Sequence, residues 1–87
     1  MSQPTWYVYI VQCCDATLYT GISTNPETRV AEHNNGQYAA KYTRARRPVS
    51  LLYTEPAASR SAALKREIAI KRLSRQAKLA LINGINS

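Results

Sequence analysis

Tyr7-Val8-Tyr9 and Tyr19-Thr20-Gly21 are two tyrosine-bearing segments with strand character, and nine residues lie between Tyr9 and Tyr19. That spacing leaves room for the end of one strand, a tight turn and the start of the next. With the turn at Cys14-Asp15-Ala16 and Cys13 opposite Thr17, Tyr9 falls opposite Gly21 and Val11 opposite Tyr19. Both motif tyrosines, Tyr9 and Tyr19, then stand on one face of a hairpin. The other face carries Trp6, Val8, Ile10, Leu18 and Ile22, an apolar set suited to a core, so the tyrosine face is left to do chemistry. Cross-strand aromatic pairing by itself also favours tyrosine here, at roughly 0.2–1 kcal/mol per pair.

Three further groups could act with the tyrosines. Arg29 and His33 are four residues apart on a predicted helix and share a face. The short stretch from Gly21 to Arg29 lets that arginine reach the tyrosines, although pairing with Glu32 would also occupy it. His33 is the only histidine, and its place near the helix end also suits a dipole interaction. Glu67 falls among Ala63, Leu64 and Ile70 on a helical wheel, which predicts partial burial, so its carboxylate needs a partner. The candidates are Lys71 one turn on, or a divalent cation beside phosphate. Finally, Lys41, Tyr42, Arg44, Arg46 and Arg47 crowd four cations and an aromatic ring into seven residues. Cations neutralise phosphates and a tyrosine ring stacks on a base, so this stretch is a candidate nucleic-acid contact.

The elements that must position these groups follow from local signals. Asn25-Pro26-Glu27 is a helix start, and Asn34-Asn35-Gly36 its end. Val49 to Thr54 is a third strand that Glu55-Pro56 closes. Ser59 caps a helix running to about Leu73, and a last helix runs from about Arg75 to Asn83, with Gly84 just beyond it. The order ββαβαα predicts a small α+β domain with its helices banked on the apolar face.

At 87 residues the chain is expected to form one domain, residues 1–87. No segment has the run of about 18–20 apolar residues that spans a bilayer, nor the pattern of a secretory signal, which predicts a cytoplasmic protein without membrane partners. Adjacent Cys13 and Cys14 fit neither a zinc motif nor a mutual disulfide. The net charge of +7 is unevenly spread: residues 1–40 carry one base and three acids (−2), residues 41–87 eleven bases and two acids (+9). Such segregation draws polyanions, nucleic acid foremost.

Together these residues resemble the GIY-YIG nuclease family. The paired tyrosine segments come first, then Arg29 and His33 within Arg-Val-Ala-Glu-His, then Glu67 within Lys-Arg-Glu-Ile, and the likeness extends over nearly the whole chain. It is greatest to the small stand-alone branch, which also has a stretch like Gly36 to Pro48. The resemblance implies a three-stranded antiparallel sheet flanked by helices, and hydrolysis of phosphodiester bonds in DNA with a single Mg²⁺ or Mn²⁺ and no small-molecule cofactor. By position it makes Tyr9, Tyr19, Arg29 and His33 catalytic, Gly21 the motif glycine and Glu67 the metal ligand. A tyrosine could then take a proton from water, provided positive charge lowers a phenol pKa that starts near 10; the residues leave open which tyrosine does so. Expected substrates are damaged, branched or nicked DNA in repair or recombination, handled by a monomer or weak oligomer. A non-catalytic nucleic-acid-binding module of the same fold is the alternative. The first motif has Tyr7-Val8-Tyr9 where the family name has Gly-Ile-Tyr, and Thr20 replaces the second isoleucine.

Overall fold

The hairpin forms with the predicted register. In the computed structural model, which describes residues 4–35 and 47–84, β1 (Trp6–Gln12) and β2 (Leu18–Ser23) pair antiparallel, with Tyr9 opposite Gly21 and Val11 opposite Tyr19. Cys13 N donates to Thr17 O at 2.8 Å and Ala16 N to Cys13 O at 2.9 Å, closing the turn. Ala16 lies in the left-handed region at φ 69°. Asp15 braces the turn, its Oδ1 accepting from the Thr17 hydroxyl at 2.6 Å and from Thr17 N at 3.2 Å, a local side-chain bond typical of such turns. Cys13 is buried and Cys14 exposed, with no disulfide between them.

α1 (Pro26–Asn35) follows with Asn25 as its cap, Oδ1 accepting from Thr28 N at 3.2 Å. β3 (Ser50–Ala57) pairs antiparallel with β1, so the sheet order is β2-β1-β3. The helices α2 (Arg60–Lys71) and α3 (Arg75–Ile82) complete the ββαβαα order, capped by Ser59 and Ser74, and Gly84 takes φ +72° just past the last helix. The fold is α+β, with a three-stranded antiparallel sheet flanked by helices.

Two expectations need correction. β3 does not stop at Glu55-Pro56 but runs on to Ala57, with Pro56 opposite Tyr7. An edge strand tolerates proline because the missing N–H can face outward, away from the ladder. β3 also contains a bulge: Tyr53 pairs with Ile10 and Leu51 with Val11, leaving Leu52 unmatched and 37% exposed. The extra residue lets Tyr53 join one face of the sheet and Leu51 the other.

Nor are the helices all on the apolar face. On that face Val8 and Ile10 pack with Ala63 and Ile70 of α2 and with Leu81 and Ile82 of α3. On the tyrosine face a second, smaller core joins Tyr9, Val11, Cys13 and Val49 with Val30 of α1, Tyr19 and Leu51. The short β2-to-α1 connection folds α1 back over the hairpin. Val49 is tied to it by Asn34, whose Nδ2 donates to Val49 O at 3.1 Å and whose Oδ1 accepts from Val49 N at 2.7 Å.

Candidate active site

Tyr9 is the centre of the site and only 2% exposed. Its hydroxyl lies 3.0 Å from His33 Nε2, and the Arg29 guanidinium hydrogen-bonds the same phenol. The tyrosine ring lies across Gly21 of the neighbouring strand. A Cβ added there would stand 2.5 Å from the Tyr9 hydroxyl oxygen and 2.6 Å from its Cζ, closer than side-chain atoms pack. The motif glycine is therefore required by close approach, and the Tyr9 ring occupies the space that a Cβ would take.

Burial, reinforced by the Tyr19 phenol, pushes the Tyr9 pKa up to about 12 against the opposing pull of Arg29. His33 moves the other way. It is fully buried, and that burial, with the charges of Arg29 and Arg47, lowers its pKa to about 4 despite Glu32. At neutral pH the pair is thus an un-ionised phenol beside an un-ionised imidazole. With Nε2 unprotonated, Tyr9 donates and His33 accepts, and Arg29 donates to the Tyr9 oxygen.

Tyr19 shares the face with Tyr9, as the register requires, and stands edge-on to His33 with ring centroids 5.5 Å apart. It is half-buried, more open than Tyr9. Arg29 also pairs with Glu32 at 3.2 Å, so the ion pair and the phenol contact coexist.

Glu67 reaches the site from the opposite layer. α2 packs on the apolar face, against β1 and β2. Lys71 Nζ stands 5.9 Å from the Tyr19 ring centroid, and the Glu67 charge is felt at Tyr9. The Glu67 side chain is 17% exposed and pairs with Lys71 at 3.5 Å. The other acid of the basic half, Glu55, is already held between the Tyr53 hydroxyl at 2.6 Å and Arg66 Nε at 2.8 Å.

Among the described residues no group of three or more His, Cys, Asp or Glu side chains could form a closed metal cage. A single carboxylate such as Glu67 is nevertheless compatible with Mg²⁺ or Mn²⁺. Mg²⁺ keeps several waters and is held by one or two carboxylates plus substrate phosphate. A Zn²⁺ site, which needs three or four Cys, His, Asp or Glu ligands, does not match this donor set.

Lys41, Tyr42, Arg44 and Arg46 lie outside the described residues. Arg47 is half-buried, and its Nε is buried with no hydrogen-bond partner. The basic stretch made Arg47 a candidate nucleic-acid contact; its charge also acts on His33 and helps keep it neutral. Its nearness to His33 had no signal in the sequence, because it depends on Asn34 fastening the segment before β3 to α1.

The ββαβαα order, the β2-β1-β3 sheet and the tyrosine face carrying Arg29 and His33 define an α+β domain of the GIY-YIG type. The chain belongs to the GIY-YIG family: residues 5–80 match the GIY-YIG catalytic domain. It is 56% identical over 82 residues to a UPF0213 protein of Desulfotalea psychrophila, covering 94% of this chain and 74% of that one. A UPF0213 protein of Staphylococcus saprophyticus is 56% identical over 77 residues, 88% of this chain and 93% of that one. Among solved structures, the solution NMR structure of a UPF0213 protein from Bacillus halodurans matches with a TM-score of 0.57 and 39% identity, covering 91% of this chain and 83% of that one. A second NMR structure, of a protein from E. faecalis, gives 0.62 and 37%, covering 99% and 93%. Among the described residues, no helix is long and apolar enough to cross a membrane.

Proposed function

We propose that this chain is a metal-dependent endonuclease that hydrolyses phosphodiester bonds in DNA, acting as the single domain 1–87 on nicked, branched or damaged substrates in repair or recombination. The observation that carries this reading is the hydrogen-bonded string Arg29, Tyr9, His33, with the Glu67 charge within reach of the same phenol.

A phenol whose pKa is raised to about 12 is a poor reservoir of phenolate at neutral pH. It is a competent hydrogen-bonding group, held in place by Arg29 and His33. As water attacks phosphorus, the Tyr9 hydroxyl orients it, and the water's proton passes to solvent. The new P–O bond forms as the bond to the sugar oxygen breaks, and the leaving oxygen takes a proton from solvent. Tyr19, more open and edge-on to His33, orients the water. Arg29 stands where negative charge grows on the phosphate oxygens, and the buried, unpartnered Nε of Arg47 marks a second cationic donor nearby. Glu67 would hold the divalent ion, which when bound supplies Lewis-acid stabilisation of that same charge.

The test is incubation of the protein with nicked, branched and single-stranded DNA in the presence of Mg²⁺ or Mn²⁺, beside Glu67→Ala. Metal-dependent cutting by the native chain, lost in Glu67→Ala while DNA binding persists, is the expected result. Steeply salt-dependent binding with no cutting by either form would identify a binding module that keeps the nuclease fold.

A further inference from the structure

A groove of about 430 Å³ opens on the tyrosine face, at the end of the sheet where α1 begins. Tyr7, Thr24, Asn25, Glu27, Leu51 and Thr54 line it. None of these residues belongs to the machinery described above, yet the groove adjoins it. Tyr7 lies two residues from Tyr9 on the same strand and face, about 7 Å along β1, and Thr54 is directly opposite Tyr9 in the register with β3. A nucleic-acid strand that runs along β1 towards Tyr7 from a scissile phosphate at Tyr9 would carry its neighbouring nucleotide over this groove.

The lining offers a base hydrogen-bonding groups and flat apolar surface. Glu27 puts a carboxylate at the groove, which repels phosphate but accepts hydrogen bonds from base amino groups, as acidic side chains do with cytosine. Asn25 Oδ1 is committed to Thr28 N at 3.2 Å, which leaves its amide N–H groups to donate to a base carbonyl or ring nitrogen. Thr24 and Thr54 add hydroxyls, the half-buried Tyr7 ring offers a stacking platform, and Leu51 an apolar wall. The volume lies in the range of ordinary ligand sites, roughly 300–1,000 Å³, and admits a flat base. A base can enter only if it has left its stack and its pairing partner.

We propose that this groove binds an unstacked nucleobase next to the scissile phosphate, which makes single-stranded or locally unpaired nucleic acid the substrate class. The inference rests on the nuclease reading for the position of the phosphate, and is tested by binding so that the two can fail separately. In a Glu67→Ala background, affinity is measured at one salt concentration for a single-stranded oligonucleotide, for the same strand with one abasic nucleotide scanned along it, and for its fully paired duplex.

The single strand is expected to bind more tightly than the duplex. Tyr7→Ala is expected to weaken single-strand binding by about tenfold, the size of a lost stacking contact, and to leave duplex binding unchanged. Tyr7→Phe keeps the ring and the affinity. One abasic position weakens binding to native Tyr7 and has no effect on Tyr7→Ala, because each change removes the same contact. Equal losses on single strand and duplex, or no loss from Tyr7→Ala, would overturn the proposal. Should Tyr7→Ala fail to fold, Glu27→Gln, at the exposed rim, decides: a changed preference among homopolymer strands supports the base site, and an unchanged one refutes it. Absence of cutting by the native chain would remove the nuclease reading while these binding measurements still judge the groove.

Discussion

An imidazole in water gains its second proton near pH 6.5, whereas His33 holds out to about 4, because burial removes the water that would solvate the cation and Arg29 and Arg47 oppose it. Between those values the unfolded chain binds a proton that the folded chain refuses, so stability rises with pH across this window. The contribution is fully present above about pH 6.5 and is lost as pH falls to about 4, worth roughly 3 kcal/mol in all. Urea unfolding at several pH values is therefore expected to show a fall between pH 6.5 and 4 that is shallower in His33→Gln. Carboxylates protonate in the same range, and the difference between the two chains isolates the histidine. An identical pH dependence in both would mean that His33 titrates normally. Little of this was legible in advance. The sequence places His33 one turn from Arg29, but its burial depends on α1 folding over the tyrosine face, and nothing in the α1 residues singles out that face.

Among the elements, those whose geometry is local were readable and those set by tertiary packing were not. The hairpin register followed from one turn, Cys14-Asp15-Ala16, because strand pairing has a period of two and a fixed turn leaves no freedom. The caps Asn25, Ser59 and Ser74 marked helix starts because their side chains satisfy backbone N–H groups wherever the helix later packs. The extension of β3 through Pro56 was not readable, since it depends on β3 being an edge strand, nor was the action of the Glu67 charge on Tyr9 from the opposite layer. α2 carries Glu67 from the opposite layer, and Ser59, accepting from Ala62 N at 3.0 Å, fixes where that helix begins. Ser59→Ala is expected to destabilise the domain by about 1 kcal/mol, lowering Tm by about 4–8 °C. Cutting by the folded protein well below that temperature is expected to be unchanged, because the hydroxyl bonds only its own helix. Calorimetry beside a nuclease assay checks both halves; unchanged Tm would mean that packing, not the cap, sets the start of α2.

At the scale of the whole molecule, charge and layering work together. The two layers of helices meet the sheet from opposite faces; Arg29 and His33 from one layer bond Tyr9, while from the other the Glu67 charge acts on Tyr9 and Lys71 stands over the Tyr19 ring. Residues 1–40 bring a net charge of −2 and residues 41–87 bring +9, so on the proposed function the attraction for phosphate comes from the second half. For a single strand, each phosphate contact contributes about 0.7 to the slope of log affinity against log salt concentration. If Arg44 and Arg46 each neutralise one phosphate, the double change to glutamine lowers the magnitude of that slope by about 1.4. Arg47 is kept out of the pair because it also helps hold His33 neutral, so its removal would change the site and the binding surface together. Binding isotherms across a salt series, on native and doubly substituted chains with Glu67→Ala in both, give the two slopes. Equal slopes would show that these arginines do not touch the phosphates, and the cations of α2 and α3 would then be the next to vary.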